Sequence, residues 1–145
     1  MTNTQKGLIT VKAATDFSAN VGCFANIGTD GNVALPAASK VALYVVEDAY
    51  TSGGIITPPS GTTTGATYWA VLRPVQSGQN FRVKAANNSI TTPQVQIVTD
   101  VAGKATAASA GGFVIAIAEE TAVTGQYVLL RPLPGFNVYS SSAFA

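Results

Sequence analysis

Carboxylates offer this chain its first route to chemistry, and they cluster at two places, Glu47-Asp48 and Glu119-Glu120. Two acids flanking a bond can hydrolyse a glycoside, and loop carboxylates with carbonyls can hold a hard cation. Adjacent residues on a strand point to opposite faces, so neither pair aims both acids at one substrate. No Asp-x-Asp-x-Asp-Gly pattern backs a calcium loop, and both pairs read as solvated strand ends. The sequence has no histidine, which removes the usual base near neutral pH and the commonest metal ligand. The single cysteine, Cys23, excludes an internal disulfide and cannot by itself build a zinc site. Within Cys23-Phe24-Ala25-Asn26-Ile27 it reads as a small buried hydrophobe. Gly53, Gly54, Gly61 and Gly65 invite comparison with a phosphate loop, yet no Gly-Lys-Ser/Thr follows them. Trp69, with Tyr44, Tyr50 and Tyr68, could stack on a sugar, but Tyr68 and Trp69 face opposite ways on one strand. Core packing is the expectation for Trp69. The inventory therefore predicts no catalytic residue, no cofactor and no metal.

Composition narrows the class further. Charged residues make up 10% of the 145 residues and apolar ones 47%, against about 25% charged in ordinary soluble domains. Disordered chains show the opposite bias. No apolar run approaches the ~20 residues that a spanning helix needs. There are also too few alternating ten-residue segments for a membrane barrel. A formal charge of +1 with no basic cluster argues against nucleic acid, whose binding rests on many phosphate contacts. The start, MTNTQKG, lacks the apolar core of a signal peptide, and one cysteine suits assembly in a reducing cytoplasm. Much of the surface is then small and neutral, suited to packing against other protein.

The elements that must position these residues are strands. Gly111–Pro134 holds two β-prone runs, Phe113–Ala118 and Gln126–Leu130, separated by the acids and Thr124-Gly125; this predicts a hairpin. Both faces of Phe113–Ala118 are apolar, so it should be covered on both sides. Further strands are expected at Gly7–Ala13, Cys23–Ile27, Val33–Leu35, Val41–Val46, Tyr68–Leu72, Phe81–Ala85 and Gln94–Val98. Thr29-Asp30-Gly31-Asn32 is a strong hairpin turn, and Thr106–Gly111 reads as a small-residue connection. One helical turn is possible at Ala37–Val41 or Thr15–Asn20. The prediction is an all-β fold, an antiparallel β-barrel or β-sandwich of about seven to nine short strands. One domain spans 7–134, with 51–66 as an exposed loop or hairpin insertion, an N-terminal arm at 1–6 and a C-terminal tail at 135–145. Val71-Leu72-Arg73-Pro74-Val75 echoes Leu129-Leu130-Arg131-Pro132-Leu133; coincidence between strand ends is the reading taken. The arm (Thr2, Asn3, Thr4, Gln5, Lys6) and the tail (Tyr139, Phe144) are the expected protein-contact elements.

Several local motifs recur in one known layout. Asp16-Phe17-Ser18-Ala19 opens it. A hairpin follows, carrying Gly22, Phe24, Ala25, Ile27, Asp30, Gly31 and Val33. An apolar strand ends in Val45–Ala49, a Gly-Gln turn leads into Phe81-Arg82-Val83, and Ala102–Thr106 forms a turn. The strand Gly112–Glu120 and a following Leu130-Arg131-Pro132 complete the series. Across about residues 7–134 the chain resembles the decoration, or cement, proteins that coat tailed-bacteriophage heads. The 51–66 segment and the tail match nothing in that layout. The resemblance implies a β body that trimerises and binds major capsid protein on the outer surface of the virion, fastening the lattice. Two other readings stand beside it: a different phage structural subunit (tail or head-fibre attachment), and a carbohydrate-binding β module using Trp69.

Overall fold

The computed structural model describes residues 7–57, 62–109 and 112–133. Strands dominate, as the apolar-polar alternation predicts. In order they are β1 (Ile9–Ala13), β2 (Phe24–Ile27), β3 (Val33–Ala34), β4 (Tyr44–Ser52), β5 (Ile55–Thr57), β6 (Thr62–Thr64), β7 (Thr67–Pro74), β8 (Phe81–Lys84), β9 (Gln96–Thr99), β10 (Ala105–Ala107), β11 (Ala116–Ala118) and β12 (Tyr127–Pro132). The all-β expectation holds. The described residues form more strands than the predicted seven to nine because several are only two or three residues long. Thr106–Gly111, read as a connection, in fact begins inside β10. The expected helical turn is one short 3-10 turn at Ser18–Asn20.

Five of the strands close into a barrel in the order β1-β3-β2-β4-β7. The β1/β3 contact is parallel and the others are antiparallel. The remaining body strands run in the order β10-β9-β11-β12-β8. A parallel bridge between Ala85 and Ala105 joins the two ends of that sheet, so it closes in the same manner. The two halves are one motif used twice. Ala13↔Val33 in the first barrel becomes Ala85↔Ala105 in the second, a shift of 72 positions in both members. The same shift carries Ile27↔Val33 to Thr99↔Ala105, and Phe24↔Val45 to Gln96↔Ile117. Ile9↔Leu72 becomes Phe81↔Leu130, so the last strand is shifted by 58. The difference is 14 residues, and it lies between β4 and β7.

Loop hydrogen bonds repeat as well. Gly22 N–H donates to the Val46 carbonyl at 2.8 Å, and Gln94 N–H donates to that of Ala118 at 2.8 Å. Both residues have positive φ, +81° at Gly22 and +69° at Gln94. The Arg-Pro echo, read from sequence as coincidence, is therefore structural: Arg73-Pro74 ends β7 and Arg131-Pro132 ends β12. Proline cannot donate to the ladder, which is why each strand stops there.

Inward-facing residues match in pairs. Ala13, Ala25, Val33, Val46, Ala70 and Leu72 fill the first barrel; Ala85, Ile97, Ala105, Ala118, Val128 and Leu130 fill the second. Phe24, Ala42 and Val45 belong by chain to the first barrel, yet pack into the core of the second. The Phe24 and Phe81 rings meet edge to face with centroids 5.9 Å apart, a favoured arrangement. The strand predicted at Phe113–Ala118 is confined to Ala116–Ala118; Val114, Ile115 and Ala116 are fully buried, whereas Ile117, on the other face of the strand, is only half-buried.

The extra length between β4 and β7 forms a ribbon. The two strands pair out to Ser52↔Thr67, and β5 and β6 then pair with each other as an antiparallel hairpin.

Candidate functional site

The acid pairs come first, as the only clustered carboxylates. Glu47 sits where the β4/β7 register slips between Val46 and Asp48, a bulge that re-aims side chains. It accepts from Arg73 Nε at 2.5 Å. Glu119, the equivalent residue of the second barrel, pairs with Arg131 Nε, the equivalent arginine. Each barrel thus clamps its last strand through the Arg of its Arg-Pro pair. Glu120 accepts from Arg82 Nη1 at 2.7 Å and from the Leu129 backbone N–H at 2.9 Å. The Leu129 N–H first, and Arg82 second, hold its carboxyl below the usual range, since hydrogen bonds to a charged form favour that form. Asp48 accepts from the Ala49 N–H. The acids stand at solvent-exposed strand ends, as expected, and there they serve as partners of arginines and amides.

Cys23 is 1% exposed, and burial pushes its thiol pKa up, away from the reactive thiolate. Its reading as a small buried hydrophobe is right. Trp69 departs from expectation. Its register partners are Tyr50 on β4 and Lys12 on β1, and it lies half-buried on the outside of the first barrel. Its indole N–H donates to Ser52 Oγ at 2.8 Å, while Tyr68 and Tyr44 pack against the barrel interior. Strand alternation separates Tyr68 from Trp69 as predicted; tertiary packing chose which of them faces inward.

Two of the depressions on the described surface lie near the residues discussed above. One, of about 350 Å³, lies on the seam between the barrels and is lined by Gly22, Val45, Glu47, Arg82 and Tyr127 among others. Its charged groups are already engaged, Glu47 by Arg73 and Arg82 by Glu120. The other, of about 370 Å³, is lined by Asn88, Ile90, Thr91, Ala122, Val123 and Gln126. Among the described residues no group of three or more metal-ligating side chains gathers.

The seam is the richest constructed feature. Gly22 carbonyl accepts from the Lys84 N–H at 2.8 Å, and Phe24 N–H donates to the Gly103 carbonyl at 2.6 Å. Thr99 Oγ1 donates to the Ala37 carbonyl at 3.0 Å. Lys84 Nζ lies 5.9 Å from the Tyr127 ring centroid. Sequence reasoning missed this seam, although a signal was present: Val11-Lys12-Ala13-Ala14 recurs as Val83-Lys84-Ala85-Ala86. The contact elements predicted at Thr2, Asn3, Thr4, Gln5, Lys6, Tyr139 and Phe144 lie outside the described residues.

No protein-family model matches the chain, and no curated protein matches it with significance.

Proposed function

We propose that this chain is a virion structural protein, a decoration subunit that binds the outer surface of a phage capsid and fastens its major capsid subunits. The observation carrying the reading is what the ionic groups do. The arginines and glutamates at the strand ends, Glu47–Arg73 and Glu119–Arg131, brace a duplicated β frame. The sequence motifs that resemble decoration proteins fall on that frame's turns and strand ends. Fastening a shell requires no reaction. A subunit that binds only the assembled lattice stabilises it by mass action, and many copies add avidity.

Co-sedimentation tests the proposal. Purified protein should pellet with expanded phage heads and stay in the supernatant with unexpanded shells; protein that pellets with neither overturns it. If gold-labelled antibody against the protein marks only the tail of virions in electron micrographs, the tail-subunit reading replaces it.

One observation favours a second reading, a glycan-binding module. Trp69 and Tyr50 are register partners on an outer face, and Tyr50 is 46% exposed. As Trp69 is the single tryptophan, glycan binding should change the protein's indole fluorescence. An unchanged spectrum across a glycan panel disposes of this reading.

A further inference from the structure

The contact between the two barrels uses different faces on its two sides. The first barrel contributes Cys23, Phe24 and Val45, all buried at 3% exposure or less. The second contributes Thr99, Gly103 and Phe113. Thr99 is 1% exposed, and Phe113 N–H donates to the Ser39 carbonyl at 2.9 Å. At Gly103 an added Cβ would lie 2.5 Å from the Phe24 carbonyl oxygen.

Because the barrels are copies, each of these faces exists a second time. The equivalents of Cys23, Phe24 and Val45 on the second barrel are Val95, Gln96 and Ile117, and all three are only half-buried. The equivalents of Thr99, Gly103 and Phe113 on the first barrel are Ile27, Gly31 and Val41. Ile27 is 39% and Val41 40% exposed, and an added Cβ at Gly31 would meet nothing within 4 Å. Among the described residues two faces therefore remain open, complementary in kind, and the seam already buries one example of each.

We propose that a second copy of this chain docks on the first head to tail, with the Gln96–Ile117 face of one copy seated on the Ile27–Gly31–Val41 face of the next. This repeats between chains the contact that joins the barrels within one. It is a heterologous interface, so it propagates from copy to copy until rotation closes it. The intrachain seam is sealed by aromatic Phe24, whereas the open face carries polar Gln96 at that place, a composition suited to a surface that must also be soluble in the unassembled chain. At Gly22 an added Cβ would lie 2.5 Å from the Tyr127 ring. The equivalent pair in the new contact is Gln94 with Trp69. The indole bonds to Ser52 on β4, on the far side of β7 from β1, and the new contact would place the Gln94 side chain on the β1 side, beside Lys12. The proposal stands on the duplicated fold and does not rest on the capsid reading.

Light scattering after gel filtration tests it on the full chain without capsids. Wild-type protein at micromolar concentration should run at a multiple of the chain mass. Ile27→Glu/Val41→Glu and Gln96→Glu/Ser109→Glu should each run as one chain, Ser109 being the exposed equivalent of Ala37, which the seam engages through Thr99; Val123→Glu, an exposed residue on neither face, keeps the wild-type mass. Mixing the two double variants should yield a 1:1 pair that grows no further, because only one intact face of each kind remains. Unfolding temperatures near that of wild type show that the variants are folded. Should either double variant fail to fold, amide exchange on wild type replaces it: Gln96 and Ile27 should gain protection as concentration rises. A monomeric wild type, face variants that keep the oligomer, or a mixture that stays monomeric overturns the proposal.

Discussion

Two glycines with the same backbone torsion separate strain from contact. Gly103 and Gly125 have φ of +73° and +80°, yet only Gly103 has a neighbour within reach of a Cβ. Gly125→Ala carries left-handed strain alone, about 1 kcal/mol. Gly103→Ala adds a collision with the Phe24 carbonyl, and overpacking against backbone raises the loss to about 3 kcal/mol or more. Urea unfolding of both variants checks this; equal losses would mean that the barrels do not approach closely at Gly103. The Arg-Glu clamps belong to the same scale but weigh less. Arg73 and Glu47 are each 36% exposed, so that pair contributes under about 1 kcal/mol and serves to place the strand end.

Among the elements, the β4–β7 ribbon is the one departure from the repeat. The second barrel makes the equivalent connection through Thr121–Gly125 and closes without a ribbon. The hairpin is thus an addition to a barrel that does not need it. Replacing residues 53–66 by Asn-Gly, which favours the two-residue hairpin turn, should leave the fold intact. Its unfolding temperature should stay within about 5 °C of wild type, since loop length alters closure entropy only slowly. A collapse of the cooperative transition would show that the ribbon is part of the first barrel's core. Differential scanning calorimetry decides between the two.

At the scale of the molecule, the barrels share a core through Phe24, Ala42 and Val45, and a shared core predicts one cooperative transition. Phe24→Ala removes one ring of the Phe24–Phe81 pair and opens a cavity on the seam, at a cost of about 4 kcal/mol. The second barrel loses its cover, so calorimetry should split a single peak into two. A single peak that merely moves to lower temperature would mean that Phe24 supports the first barrel alone.

The residue pattern by itself determined the all-β class, most of the longer strands and their turns, and the lack of histidine-based chemistry; it missed short strands such as β10. Alternation of side chains, Asp30-Gly31 and the Arg-Pro stops are local signals that need no partner. Local signals also exposed the two ends of the repeat, at Val-Lys-Ala-Ala and Arg-Pro, but could not join them into one motif. Most of the 72-residue correspondence is carried by backbone pairing, with Ile27 matching Thr99 and Val45 matching Ile117. Tertiary structure alone decided that Trp69 faces outward, that the acids find arginines, and that Phe24 leaves its own barrel to fill the other. Each of these depends on which strands become neighbours, a long-range outcome that no window of adjacent residues contains.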